Sequence, residues 1–366
     1  MSERDRFPGG VDIEIDTGRR SQKNRSMKSL RVPLLLAVCA ALSSSLIGNT
    51  TVPRSYPSIG TISKYDKRLD KLIDSDAKIE VIASGFVWTE GPAWNKEGGF
   101  LVFSDIPRNV IMKWSPTEGV SEYMNPAGYT GIVDYGGEPG SNGLVFDSMG
   151  RLTLCEHGDR RIALVTKEGG KRTLADNYRG KRFNSPNDLT YHSNGDLYFT
   201  DPIYGLPNRQ DDPRRELDYC GVYLRRADGE VVLLTKDFTR PNGIALSPDE
   251  KTLYVAQSDS DAPIWRSYPV RGDGTLGKGK VFFDATRYTK DGPGMPDGMK
   301  VDSKGNLWAS GPAGFYIFSP EGDLLGRMEM GEHASNCAWG DDGSTLYMTV
   351  DMYVCRIRTK AKGLGF

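Results

Sequence analysis

Six segments of one layout, set at blade-sized intervals along the chain, predict an all-β fold, a six-bladed β-propeller. They are EGPAWNKEGGFLVFSD from Glu90, NGLVFDSMGRLTLCE from Asn142, NDLTYHSNGDLYFTD from Asn187, NGIALSPDEKTLYVAQ from Asn242, DGMKVDSKGNLWASG from Asp297 and NCAWGDDGSTLYMTVD from Asn336. Each opens with a carboxylate or amide residue, usually before Gly, and reads as a β-hairpin whose turn is built from Gly, Asp, Asn or Ser. The openings lie 39 to 55 residues apart, the period of a propeller blade. The 43 Gly and 21 Pro agree, because these residues punctuate short strands and leave little room for long helices.

Residues 1–26 are polar, carry no hydrophobic period and are expected to lie outside the fold. From Met27 the text MKSLRVPLLLAVCAALSSSLIGNT has Lys28 and Arg31, an apolar core from Val32 to Leu42 and small residues from Ser43 to Ser45. That is the anatomy of a secretory signal over 27–50, and it predicts export to the periplasm or beyond. Its core is shorter than the roughly 20 residues a membrane span requires. Residues 51–75 read as a linker and lead-in, and 76–366 as the propeller.

DAKIEVIASGF, from Asp76 to Phe86, is a lone strand ahead of the first repeat. Behind the hairpins come further strand pairs: NVIMKWSP with GVSEYM, RIALVTKEG with KRTLA, GVYLRRADGEVVLLTKD, IWRSYPV with GKVFFD, and GFYIFSPEGDLLGRMEM. The sixth hairpin is followed only by VCRIRTK. Five units therefore have four strands and the last has three, and the N-terminal strand completes it and closes the ring. A single blade cannot bury both of its faces, so Trp94, Trp114, Trp308 and Trp339 are expected to pack blade against blade. The Gly-His and Trp-Asp signature of WD40 blades does not recur.

With 48 acidic and 47 basic residues the formal charge is -1, which gives no electrostatic footprint for nucleic acid or an anionic membrane. The five cysteines, at 39, 155, 220, 337 and 355, have no CxxC spacing, so neither a zinc site nor a dense disulfide framework is indicated. Buried thiols are the expectation for those in strands, with one or two disulfides left open.

In a propeller the innermost strands surround a central channel. Glu90, Asn142, Asn187, Asn242, Asp297 and Asn336 occupy equivalent positions, so they converge at its mouth. All are oxygen donors, which suits a hard cation such as Ca2+ at about 2.3 to 2.6 Å. The competing reading is turn chemistry, since Asn-Gly and Asp-Gly are favoured where φ is positive. Against it, Glu90 is a poor turn residue and Asn187 is followed by Asp. With three His and none at an anchor, a zinc-type site of nitrogen and sulfur ligands is disfavoured. The second strands end at a rim that includes Glu156-His157, Thr200-Asp201 and Gln257-Ser258. Asn142, His157, Asp201 and Tyr204 are the candidates for holding a substrate, with His157 or Asp201 also able to take a proton. His333 is within reach of the mouth; His192 lies in a turn at the far end.

The runs TEGPAW (89–94), LCEHGDRRI (154–162), NSPNDL (184–189), FTDPIYGL (199–206), PNGIALSPDE (241–250) and PDGMKVDSKGNLW (296–308) resemble the senescence marker protein/gluconolactonase/luciferin-regenerating, or regucalcin-like, family. The resemblance runs from about residue 77 to the end and is closest to the bacterial gluconolactonases. It implies a six-bladed propeller that holds a divalent cation, usually Ca2+ with Mg2+, Mn2+ or Zn2+ as alternatives, and hydrolyses sugar lactones. By motif it implies Glu90, Asn187, Asn242 and Asp297 as metal ligands. Asn142 and Asn336 are not among the matched ligands. Animal members carry a substrate-binding Arg two residues before the blade-three Asn; Ser185 stands there, so their sugar recognition does not transfer.

The function expected is a Ca2+-dependent lactonase in which the cation polarises the carbonyl and Asp297 takes the proton of the attacking water. The sequence has no GxSxG, so an acyl-enzyme is disfavoured. A metal-dependent organophosphate or phosphotriester hydrolase is the first alternative, because the collar rather than the metal selects the substrate. A non-catalytic binding propeller stabilised by metal is the second. The expected partner is a small-molecule lactone.

Overall fold

The computed structural model describes residues 55–366, so the N-terminal extension (1–26) and the signal segment (27–50) lie outside the described residues. Six four-stranded antiparallel units follow one another around a ring. Blade 1 is Thr89–Asn95, Phe100–Asp105, Val110–Ser115 and Gly119–Met124. Blade 2 is Ser141–Phe146, Leu152–Glu156, Arg161–Val165 and Lys171–Ala175, and blade 3 is Leu189–Tyr191, Leu197–Asp201, Gly221–Arg225 and Val231–Thr235. Blade 4 is Pro241–Leu246, Thr252–Gln257, Ile264–Pro269 and Lys280–Asp284. Blade 5 is Met299–Val301, Leu307–Gly311, Gly314–Phe318 and Leu324–Glu329. Blade 6 takes Ala334–Gly340, Thr345–Val350 and Tyr353–Arg358 from the C-terminus and Ile79–Ser84 from the N-terminal side, which closes the ring as expected.

The stretch read as a linker is different. Ser58–Ile59 pairs with Ile79–Ser84 on the outer edge of blade 6, and Thr61–Lys64 pairs with Leu324–Glu329 on the outer edge of blade 5. The short 3-10 turn Lys67–Lys71 that follows buries Leu69, with Leu72 and Ile73, in the seam between those blades. The segment thus staples the two blades at the closure and covers edges that would otherwise be open. Two strands of two and four mostly polar residues carry no period of their own; only their partners define them.

The core lies in the six seams between blades. Blades 1 and 2 meet through Val102, Ile111, Leu152 and Leu154, and blades 2 and 3 through Cys155, Ile162, Phe199 and Tyr223. Tyr198 and Val222 face Leu253 and Val255, and Trp265 packs among Tyr316 and Phe318. Trp308 meets Trp339 edge to face at 5.1 Å, and Trp94 stacks on Tyr347 at 5.2 Å, joining blade 5 to 6 and blade 6 to 1. Each such fully buried side chain contributes about 1.5–3 kcal/mol from removal of apolar surface. Cys155, Cys220, Cys337 and Cys355 are free and buried, so no disulfide joins them. Among the described residues no helix is long and apolar enough to cross a membrane.

Where the seams reach the axis, backbone meets backbone. A Cβ on Gly91 would lie 2.0 Å from the Asn142 carbonyl oxygen, one on Gly143 2.6 Å from that of Asn187, and one on Gly243 2.2 Å from that of Asp297. On Gly298 it would strike the Asn336 side chain at 1.9 Å. Of these four only Gly91 has a positive φ, so the Asn-Gly and Asp-Gly pairs are not turns: each glycine makes room for the anchor of the next blade. The register slips beside the anchors, between Glu90 and Ala93, Ser141 and Leu144, and Pro241 and Ile244. Such a bulge re-aims a side chain that a regular strand would send into the seam. A belt of bonds from blade to blade locks the arrangement: Ser104 Oγ donates to the Asn142 carbonyl at 2.9 Å, Thr200 Oγ1 to that of Asn242 at 2.7 Å, and Ser335 Oγ to that of Thr89 at 2.8 Å.

Close approach at the axis therefore predicts that Gly243→Ala lowers unfolding free energy by at least about 1–3 kcal/mol, the cost of overpacking. Gly272→Ala, where a Cβ meets nothing within 4 Å, is expected to stay within about 0.5 kcal/mol. Equal effects in chemical denaturation would show that the glycine is not there for space.

Candidate functional site

A cleft of about 640 Å³ opens at the end of the channel where the anchors begin. Glu90, Asn142, Asn187, Asn242 and Asp297 form its inner wall, and Tyr204, Arg209 and Arg240 stand at its rim with Glu138 and His333. A second cleft of similar volume, about Trp94, Phe146 and Trp339, lies at the other ends of the same strands and holds none of the anchors.

Four side-chain oxygens of the inner wall are buried and have no hydrogen-bond partner: Oδ1 of Asn142, Asn187, Asn242 and Asp297. They do not come from loose side chains. The Asn242 amide nitrogen donates to Ser258 Oγ at 2.9 Å, and that hydroxyl donates to the Pro296 carbonyl, which leaves Oδ1 as the free end. Asn142 Nδ2 is engaged at 3.3 Å by His157 Nε2. Glu90, 2% exposed, accepts from the Gly91 amide at 2.7 Å and from Asn336 Nδ2 at 3.3 Å, both through Oε2. An unsatisfied buried acceptor costs about 1–3 kcal/mol, so four together on one wall are a feature that folding alone does not favour.

Beneath this wall lies a layer that the repeat pattern did not reveal. Asp188 stands where four of the other five blades carry Gly, is 1% exposed, and accepts from Asn336 Nδ2 at 3.4 Å. Asn336 has its own Oδ1 occupied by the Cys337 amide at 2.8 Å and approached by Lys300 Nζ at 3.5 Å. The sixth anchor is thus a strut between two carboxylates and does not line the cleft. Glu90, Asp188 and Asp297 feel one another's charge, with the Lys300 ammonium opposing the first two, so the fully ionised group carries two negative charges in excess.

Two of the rim expectations are corrected. Asp201 does not line the cleft: it is fully buried, and its carboxylate accepts the backbone amides of Asn184 at 2.9 Å and Ser185 at 2.8 Å, bracing the loop that presents Asn187. His157 is also fully buried and held behind Asn142, and burial with the charge of Arg209 pushes its pKa down to about 3, which keeps the ring neutral. Both ends of strands point to the rim by position, but their side chains turn back into the loops. Tyr204 does line the cleft, as does His333, which packs against Trp88 at 5.7 Å. His192 faces Glu250 in a turn away from the site.

No cluster of three or more His, Cys, Asp or Glu with metal-holding geometry is present among the described residues. The set brought together here is two carboxylates, Glu90 and Asp297, with three amide oxygens, a composition that suits hard cations and not a zinc-type site.

Burial, reinforced by Asp188, raises the Glu90 pKa to about 8, and burial with Glu90 and Asp188 raises that of Asp297. Burial likewise raises Asp201 to about 7. A raised carboxylate holds its proton in the folded chain after the unfolded chain has lost it, so stability falls as pH rises toward the folded value. His157 acts in the opposite sense, but only below its unfolded value of 6.5. Protein dialysed against a chelator is therefore expected to lose melting temperature steadily from pH 6.5 to 8, and Glu90→Gln to flatten that slope. A wild-type melting temperature that is level or rises over this window would contradict the electrostatics of the wall.

Comparison with known proteins places this geometry. Residues 88–351 match the SMP-30/Gluconolactonase/LRE-like region. The chain is 40% identical over 357 residues to a gluconolactonase of Zymomonas mobilis, covering 95% of this chain and 100% of that one. It is 24% identical over 266 residues to a pentonolactonase of Haloferax volcanii, covering 71% of this chain and 80% of the other. The solved structure of a gluconolactonase from Xanthomonas campestris superimposes with a TM-score of 0.71 at 30% identity, over 84% of this chain and 98% of that one. With all six blades, the closing strand and the anchor wall in place, the chain belongs to the SMP-30/gluconolactonase/LRE-like family.

Proposed function

We propose that this chain is a lactone hydrolase of the gluconolactonase type that uses a divalent cation, with Ca2+ the ion its donors suit best. The observation that carries the reading is the wall of buried oxygens without partners. Glu90, Asn187, Asn242 and Asp297 would hold the cation; all are hard oxygen donors, and the two negative charges left over by Glu90, Asp188, Asp297 and Lys300 equal what a divalent ion brings. The alignment with a gluconolactonase along its whole length supports the chemistry. When bound, the cation supplies Lewis-acid polarisation of the lactone carbonyl.

The chain's own groups do the rest. Asp297 Oδ1, buried and unpaired, is placed to accept a proton from the water that attacks the carbonyl carbon. As the ring C–O bond breaks, that proton passes to the departing ring oxygen, giving the hydroxy acid. Asn336 keeps Glu90 oriented through its 3.3 Å bond, and Asp201 keeps the loop of Asn187 in place through Ser185. Tyr204, whose phenol is raised by burial and donates to the Ser258 carbonyl at 3.4 Å, stays neutral and closes one side of the cleft. Arg240 and Arg209 flank its ring at 5.9 and 5.2 Å, giving the rim donors for sugar hydroxyls.

Removal of divalent cations by a chelator is expected to abolish release of acid from aldonolactones, and Ca2+ to restore it. Asp297→Asn is expected to lower kcat by about 10²–10⁴-fold, the range for loss of a positioned base. Activity that survives both the chelator and Asp297→Asn would refute this mechanism. Turnover of phosphotriesters but not of lactones would favour an organophosphate hydrolase, and turnover of neither a purely binding propeller.

A further inference from the structure

His157 follows the second strand of blade 2, and its ring is enclosed against Gly205: a Cβ there would lie 2.4 Å from the imidazole Cγ. The Tyr135 hydroxyl pins the same backbone by donating to the Gly205 carbonyl at 2.8 Å. The ring therefore has one place to sit and two neighbours that its nitrogens can address. Nε2 lies 3.3 Å from Asn142 Nδ2. Nδ1 makes no hydrogen bond among the described residues and has the Glu138 carboxylate 3.7 Å away.

We propose that Glu138 and His157 are a positioning pair that fixes the amide of Asn142 with its carbonyl oxygen toward the cleft, and that this oxygen reads a hydroxyl of the substrate. The polar group set against Nδ1 is the Glu138 carboxylate, so an ionised Glu138 holds the ring proton on that nitrogen. Nε2 is then an acceptor, and the only part of Asn142 able to satisfy it is the NH2 group. Asn142 Oδ1 is left facing the cleft, buried and unpaired, on a side chain 4% exposed. With the amide turned the other way, an acceptor would meet an acceptor at one end of the imidazole, whichever nitrogen carried the proton. Arg209, 3.5 Å from Glu138, holds the carboxylate at the far end of the chain of contacts.

An acceptor fixed in this way pairs with a hydroxyl and has nothing to offer a ring CH2. The substrate class is thus a polyhydroxylated lactone in preference to an unsubstituted one, because the latter leaves Oδ1 desolvated and unpaired. His157 does not act as a base here; it works through Asn142. The selectivity rests on the lactone hydrolase reading above, whereas the orientation of Asn142 stands on geometry alone.

The test compares wild type with Asn142→Ala, His157→Leu, His157→Gln and the Asn142→Ala/His157→Leu double variant. It measures the ratio of kcat/KM for glucono-δ-lactone over δ-valerolactone, and the calorimetric affinities for gluconate and for Ca2+. Asn142→Ala is expected to lower the ratio on the order of 10²-fold and to weaken gluconate binding, with Ca2+ affinity retained. His157→Leu is expected to move both in the same direction and to add nothing in the Asn142→Ala background, the signature of one residue acting through another. His157→Gln, which restores an acceptor to the amide, is expected to recover most of the ratio. The proposal is overturned if the ratio is unchanged in His157→Leu, if the two effects add, or if Asn142→Ala weakens Ca2+ instead of gluconate. Should wild type open neither lactone, the hydrolase reading falls, and the gluconate affinities alone still decide the role of Asn142: the same loss in Asn142→Ala and His157→Leu supports it, and no loss overturns it.

Discussion

The rest of the structure depends on how closely the six inner strands approach at the axis. Blade-to-blade packing of large apolar side chains draws the strands inward until backbone touches backbone, and at Gly91, Gly143, Gly243 and Gly298 there is no space for a single methyl group. The residue just before each of these glycines then has one direction left, into the channel. The same constraint that closes the ring therefore manufactures a ring of inward-facing positions, and bulges beside the anchors turn the side chains upward to the mouth.

What fills those positions works against stability. Three buried carboxylates oppose a single lysine, and four acceptor oxygens go unpaired. Residues that strain the folded state in this way are characteristic of sites whose partner is a ligand. The chain contains the strain with polar struts in place of added apolar packing: Asn336 spans Glu90 and Asp188, Ser258 fixes Asn242, and Asp201 gathers the amides of Asn184 and Ser185. Each strut fixes a rotamer, and a fixed rotamer is what lets an oxygen stay unpaired without turning away.

The fold was legible because its unit repeats. Six openings on a carboxylate or amide residue, four of them before Gly and each starting a hairpin, specify both the number of blades and the strand that is missing from the last. The inner wall was legible for the same reason: of the six residues expected at the mouth, Glu90, Asn142, Asn187, Asn242 and Asp297 line the cleft, and Asn336 lies beneath them. What escaped was everything that does not repeat. Ser58–Ile59 and Thr61–Lys64 are too short to show a period. Asp188 entered only as a reason why Asn187 does not open a turn, although an acidic residue where four of the other blades have Gly was itself the signal. Asp201 and His157 were placed correctly at the ends of their strands, yet whether such a side chain faces the solvent or the loop behind it depends on partners from other blades. Glu138 sits in a loop with no motif at all, and only its distance to His157 gives it a role.

That the unpaired oxygens of Asn187, Asn242 and Asp297 hold a cation together with Glu90 is the central proposal. The most direct measurement is a crystal structure grown with Ca2+, or with Mn2+ to provide an anomalous signal. A single strong peak at the cleft floor, at about 2.3 to 2.6 Å for Ca2+ from Oδ1 of Asn187 and Asn242 and from the carboxylates of Glu90 and Asp297, is the predicted result. A saturating cation that leaves this floor without density, or that binds away from these four side chains, would contradict it.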